Sequence, residues 1–300
     1  MGFDDIAAIL VVLHQGMDID GISLTFGNAS LDQVRRNAAG AVEVFGWTFP
    51  IHTGRATPVL ASITTATDIL GQTGIPTIGL SLPDTLPLPA SDAFTALCNW
   101  LECGDGPKRI LALGPLTNIA VLALARPDLA AKIDELVWMG GGLTRGNHTA
   151  SAEFNALADP EALAIVFAHG LPLKMVDLDF CRKISATMDD VTPIRSAGGK
   201  NAAMLADMTA GFINIAVSRG RSSMALYDPS AAVAFARPDL MTFDPAFIGV
   251  ELSGNLTRGR TVVETRATHA PFNAAYANDC DAAAIRKIVL DALAMEAAKP

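Results

Sequence analysis

The sequence predicts an α/β fold: a single domain over residues 1–300, with a mostly parallel central sheet flanked by helices and a helical cap. Three observations carry this. Half of the 300 residues are hydrophobic and mean hydropathy is +0.34, enough for one large buried core. Short apolar runs alternate with alanine-rich stretches, the rhythm of parallel strands joined by crossover helices. No Ser/Gly-rich linker, charge block or internal repeat divides the chain.

Taken in order, the apolar run Ile6–Leu13 follows Asp4 and Asp5 and reads as a helix with acidic residues at its start. Ile19–Thr25 reads as a strand, and Leu31–Phe45 as a helix with Arg35 and Arg36 on its wet face. Arg109–Leu113 is a short buried strand, and a helix opens at Asn118 after the Gly114-Pro115 turn. Glu135–Met139 is a strand stopped by three glycines. Pro160–His169 is a helix entered from Asp159, and Leu173–Leu178 the next strand. Beyond Ala186 the pattern changes. Residues 198–226 are rich in Ala, Met and Gly and read as helical, so the cap is placed at about 187–227. Strand character returns at Phe247–Leu252 and Arg260–Glu264.

The formal net charge of −9 argues against a nucleic-acid partner, because phosphate binding needs a positive surface. Cys98, Cys103, Cys181 and Cys280 form no CxxC pair, so free buried thiols and a cytoplasmic location are expected. The run from Ile6 is too short for a membrane span and lacks the basic flank of a signal peptide, so no membrane partner is expected.

Two clusters can carry chemistry. Asp4 and Asp5 either cap a helix or contribute to a hard-cation site, which needs oxygen donors from elsewhere in the chain. The carbonyl at Leu113 and Asp228, held extended by Pro229, are such donors. The second cluster runs from Met139 through Gly140, Gly141 and Gly142 to Asn147, Glu153 and Asn155. Consecutive glycines let a backbone approach a ligand closely, and an acid beside an amide suits neutral hydroxyls. A plain glycine-rich loop is the competing reading.

The stretches GFDDIAAIL (2–10), GNASLDQVRRNA (27–38), LGPLTNIA (113–120), VWMGGG (137–142), AEFNALADPEA (152–162), YDPSA (227–231) and ELSGNLTRGRTVVE (251–264) run in order along the chain. Together they resemble the inosine-uridine type of nucleoside hydrolase. The resemblance implies a Rossmann-like sheet and hydrolysis of ribonucleosides to ribose and free base, with calcium holding the attacking water. It implies that Asp5, Asp228 and the Leu113 carbonyl bind the metal. Asp4, Asn28, Asn147, Glu153 and Asn155 would grip the ribose hydroxyls, with Met139 packed on the sugar. A homodimer or homotetramer is the implied assembly.

Four positions depart from that pattern. The family motif D-x-D-x-G-x-D-D is met here only from Gly2 onward, so its two leading aspartates, one of them the general base, and their strand have no counterpart. We expect them upstream of Met1. The chain taken alone is expected to be poorly soluble, to bind calcium weakly and to hydrolyse little. A His-Gly step over the base is Leu70-Gly71, which places the base preference in question. Tyr227 replaces the His before the metal-binding Asp, leaving a weaker acid as the leaving-group contact. Leu113 replaces a Thr, which matters least because the expected ligand is a carbonyl. The alternative reading is a catalytically degenerate ribose- or nucleoside-binding protein. A magnesium phosphohydrolase is disfavoured, because no Lys or Ser/Thr cluster accompanies the carboxylates.

Overall fold

In the computed structural model, which describes every residue except 87 and 105, helix α1 (Phe3–His14) is followed by β1 (Ile22–Leu24), α2 (Leu31–Phe45) and β2 (Ile51–Thr53). Next come α3 (Thr67–Leu70), α4 (Ala93–Glu102), β3 (Arg109–Ala112), α5 (Thr117–Ala125), α6 (Pro127–Ala130) and β4 (Glu135–Met139). The glycine-rich loop leads into α7 (Phe154–Ala158), α8 (Pro160–Ala168), β5 (Leu173–Val176) and α9 (Leu178–Cys181). The cap region holds β6 (Ser185–Ala186), α10 (Val191–Ser196), α11 (Ala202–Val217) and β7 (Met224–Ala225), with β6 and β7 antiparallel. The chain closes with α12 (Tyr227–Ala236), β8 (Met241–Val250), β9 (Thr261–Glu264), β10 (Ala274–Cys280) and α13 (Ala282–Ala297).

The main sheet has the order β3-β4-β5-β10-β8-β9. Strands β3, β4, β5 and β10 are parallel, whereas β8 and β9 add antiparallel, so the sheet is mixed at one side. Strands β1 and β2 form a separate parallel pair, and among the described residues neither hydrogen-bonds to β3. The strand expected over Ile19–Thr25 is therefore shorter than its apolar run. Helices α1, α11, α12 and α13 cover one face of the main sheet; α4, α5 and α8 cover the other. Helix α1 is buried almost all round from Ile6 to Val12, which explains why its sequence shows no polar stripe. Phe212 on α11 is buried against Phe3 at 5.4 Å between ring centroids, so it belongs to the core. All four cysteines are free, with Cys98 and Cys181 buried; Cys103 is exposed and Cys280 half-buried, correcting the expectation of burial.

The glycines after β4 have a packing cause that the sequence does not announce. A Cβ on Gly140 would lie 2.1 Å from the ring of Trp138, itself fully buried with its indole N–H donated to the Gly114 carbonyl at 3.0 Å. Gly141 has φ +74, open to glycine and strained for other residues. Gly140→Ala is expected to push Trp138 from its seat and cost about 1–3 kcal/mol. Urea unfolding followed by tryptophan fluorescence measures this, and an unchanged midpoint would remove the packing explanation.

Candidate active site

The acidic cluster forms where two helices begin. Asp4 and Asp5 stand in the first turn of α1 and Asp228 in the first turn of α12, helical and not extended as expected, because Pro229 fits the first turn of a helix; the two helices pack together. One carboxylate oxygen from each of the three lies within 4.8 Å of the others. The positive ends of both helix dipoles favour negative charge there. Asp5 also reaches back to accept the Gly2 N–H at 2.6 Å, so it caps its helix as well as joining the cluster.

Electrostatics show what this arrangement lacks. Burial first, and Asp5 second, raise the Asp4 carboxyl to about 7. Burial, then Asp4 and Asp5, push Asp228 well above the usual carboxylate range. Burial lowers the Met1 amine, against the pull of the neighbouring aspartates. Two desolvated acids and a third carboxylate at one point, with only a weakened amine beside them, are relieved by a cation. The donors are all oxygen, the set that hard divalent cations take. The residues therefore fit a metal ion.

A polar wall is built by the loop after β4. Asn155 donates Nδ2 to the Met139 carbonyl at 2.9 Å and to the Leu113 carbonyl at 3.3 Å, so it ties the ends of β3 and β4 together. Its Oδ1 is left as an acceptor. Asn147 accepts the Phe154 N–H on Oδ1 at 3.0 Å, which leaves Nδ2 as a donor. Met139 is buried, with its sulfur 3.8 Å from Asn155 Nδ2. Asp5, Asn28, Leu113 and Asn155 line one cavity. Tyr227, half-buried beside Asp228, keeps its phenol protonated to higher pH because of burial.

Glu153 is placed with these residues but is spent largely on backbone. Its carboxylate accepts the N–H groups of Asn155 at 2.8 Å, Gly141 at 2.9 Å and Ala156 at 3.0 Å. It thereby caps α7 and clamps the glycine loop. Burial still outweighs these bonds and raises its carboxyl to about 7. Two other acids were not picked out as site residues. Asp177 caps α9, and its other oxygen is buried without a partner; burial raises it to about 6. Asp159, assigned only as a helix start, also binds Thr117 at 2.6 Å and the Val59 N–H at 3.0 Å. A lone Asp after an apolar run carries no sequence signal for either role. His148 packs edge-on against Phe154 at 5.2 Å.

The model of the inosine-uridine preferring nucleoside hydrolase family matches residues 1–287. The chain belongs to that family. As a nucleoside hydrolase it is an enzyme acting on N-glycosyl compounds, and its substrates are nucleosides. It is 33% identical over 295 residues to the non-specific ribonucleoside hydrolase RihC of Salmonella paratyphi B, covering 98% of this chain and 95% of the relative. Among solved structures it is similar to a purine-preferring ribonucleoside hydrolase from Gardnerella vaginalis, with TM-score 0.89, 27% identity and coverage of 99% and 96%. A plant nucleoside hydrolase shares the fold, with TM-score 0.88, 24% identity and coverage of 97% and 96%. No helix among the described residues is long and apolar enough to cross a membrane.

The raised Glu153 carboxyl sets a pH dependence for this nucleoside hydrolase. Its proton is held to about 7 in the folded protein and is lost near 4.5 in the unfolded chain. Between those values the folded state binds the extra proton, so stability falls as pH rises through that window. In chelator, the melting temperature is expected to drop from pH 5 to pH 8. Glu153 contributes on the order of 3 kcal/mol to this loss. Melts of the unsubstituted chain and Glu153→Gln measure it; equal slopes would assign the dependence to other groups.

Proposed function

We propose that this chain hydrolyses the N-glycosidic bond of ribonucleosides at the Asp4–Asp5–Asp228 corner, with calcium as the cation held there. The observation that carries the reading is the meeting of three buried or half-buried carboxylates, within 4.8 Å, at two helix N-termini. Asp5, Asp228 and the Leu113 carbonyl would hold the ion, whose charge, when bound, serves to activate a water and to draw in sugar hydroxyls.

The chain's own residues recognise a ribose. Asn155 offers Oδ1 to a hydroxyl proton because its amide nitrogen is already committed to two carbonyls. Asn147 offers the complementary donor, and Asn28 and Asp4 complete a ring of neutral and acidic acceptors. Met139 supplies the apolar floor. Bond cleavage builds positive charge on the sugar, and the carboxylates stabilise it as it develops. Tyr227, protonated at neutral pH, would be the donor to the departing base. The single-domain organisation over 1–300, a cytoplasmic location and a homodimer or homotetramer complete the reading.

Free ribose released from a panel of purine and pyrimidine ribonucleosides, with calcium and with chelator, tests it. Release that stops on chelation supports the proposal. Calcium and nucleoside binding without release would favour the binding-protein alternative, and binding of neither would overturn both.

A further inference from the structure

The tip of the loop that carries Asn147 is bonded to itself. The Gly146 N–H donates to the Ala150 carbonyl at 3.1 Å, and the Ser151 and Ala152 N–H groups donate to Thr149 Oγ1 at 3.2 and 2.9 Å. Residues 146–152 therefore move as one piece. Asn147 is exposed, so no packing fixes its side chain, and its aim follows that of the tip. Among the described residues, the tip is tied to its surroundings at three points. The Gly146 carbonyl accepts from Arg182 at 3.2 Å, the Ser151 carbonyl accepts from Arg260 at 3.4 Å, and Asn147 Oδ1 accepts the Phe154 N–H at 3.0 Å.

The stem below the tip has two arms, one leaving β4 and one returning to α7. The outgoing arm is gripped from α9 and the residue after it: Asp179 Oδ2 accepts the Leu143 and Thr144 N–H groups at 2.8 Å each, and Arg182 also reaches the Arg145 carbonyl at 3.4 Å. Arg260, just before β9, grips both arms. Its Nη2 donates to the Leu143 carbonyl at 2.9 Å, and its Nη1 donates to the Thr144 carbonyl at 2.9 Å and to that of Ser151 on the returning arm. Arg258, two residues earlier, spends its charge on Glu161 at 2.7 Å, whereas these three bonds of Arg260 all go to the loop. A planar guanidinium with donors in a fixed fork holds carbonyls at a set spacing, which the single ammonium of a lysine cannot do.

We propose that Arg260 is a positioning residue for the sugar: by fixing the spacing of the two arms it sets the aim of Asn147. This rests on the ribose contact proposed for Asn147. Arg260→Lys keeps the charge and removes the span, so the tip tilts and the Asn147–Phe154 bond loosens. A misplaced contact weakens capture of the nucleoside and leaves the carboxylate corner as it was.

Two measurements test this. In the chain without substrate, amide hydrogen exchange at Phe154 should speed up at least tenfold in Arg260→Lys, while Leu136–Met139 in β4 stay unchanged. In ribose release from a ribonucleoside with calcium, Arg260→Lys should raise KM at least tenfold and change kcat less than threefold. On an Asn147→Ala background the same substitution should change KM less than twofold, because the residue through which it acts is gone. An equal rise in KM on both backgrounds would overturn the proposal, as would unchanged exchange at Phe154 or faster exchange spread through β4. Faster exchange at Phe154 alone, with no ribose released by the unsubstituted chain, would uphold the hold on Asn147 and overturn the hydrolysis reading instead.

Discussion

Asp228→Ala is expected to reduce nucleoside hydrolysis at least about a hundredfold and to abolish the rise in Tm expected on adding calcium to the unsubstituted chain. The two effects have one cause. Asp228 is buried in the first turn of α12 and brings the third carboxylate to the corner formed by Asp4 and Asp5. Without the cation the same substitution should leave the protein as stable or make it more stable, because it removes a buried acid that is desolvated and pressed by Asp4 and Asp5. A variant that melts lower in chelator but keeps the calcium-induced rise would show Asp228 to be a packing residue. Ribose release and thermal melts in both conditions distinguish these outcomes.

Glu153→Ala should be the most destabilising single change at the site, costing about 3–6 kcal/mol. The carboxylate accepts three backbone N–H groups, and each buried donor left without a partner costs about 1–3 kcal/mol, less where water enters the cavity. Glu153→Gln keeps one accepting oxygen and replaces the other with a donor facing N–H groups, so it should recover only part of the loss. Urea unfolding gives the values. A cost below about 1 kcal/mol would mean that water replaces the clamp, and Glu153 would then matter chiefly for the substrate. The prediction separates two roles that sequence alone merges, since the resemblance implies only a ribose contact there.

Much of the parallel half of the fold was legible because its strands are apolar on both faces and its helices begin with recognisable residues. Glu135–Met139 was read with the observed bounds, and Leu31–Phe45 likewise, capped by Ser30 and ended by Gly46 at φ +66. Strand β10 was not assigned. Ala274–Cys280 carries Ala, Asn and Asp, poor strand formers, and becomes a strand because β5 and β8 offer it hydrogen bonds on both sides. Strand β2 and helices α4 and α13 likewise escape a reading by apolar runs alone. For α4 the start signal was present, because Asp92 accepts the Thr95 N–H at 2.7 Å.

By itself the sequence determined the α/β class, the paired aspartates at the start of α1, and the family to which the ordered motifs belong. These are local properties: hydrophobic period, capping chemistry and motif spacing are written along the chain. Only the tertiary structure decided that Asp228 stands in the first turn of a helix and not in an extended segment, and that Glu153 serves backbone as much as ligand. It also decided that Gly140 makes room for an indole and that Arg260 ties both arms of the loop carrying Asn147. Each of these depends on which groups burial brings together and which it leaves without partners, and desolvation acts in space, not along the sequence.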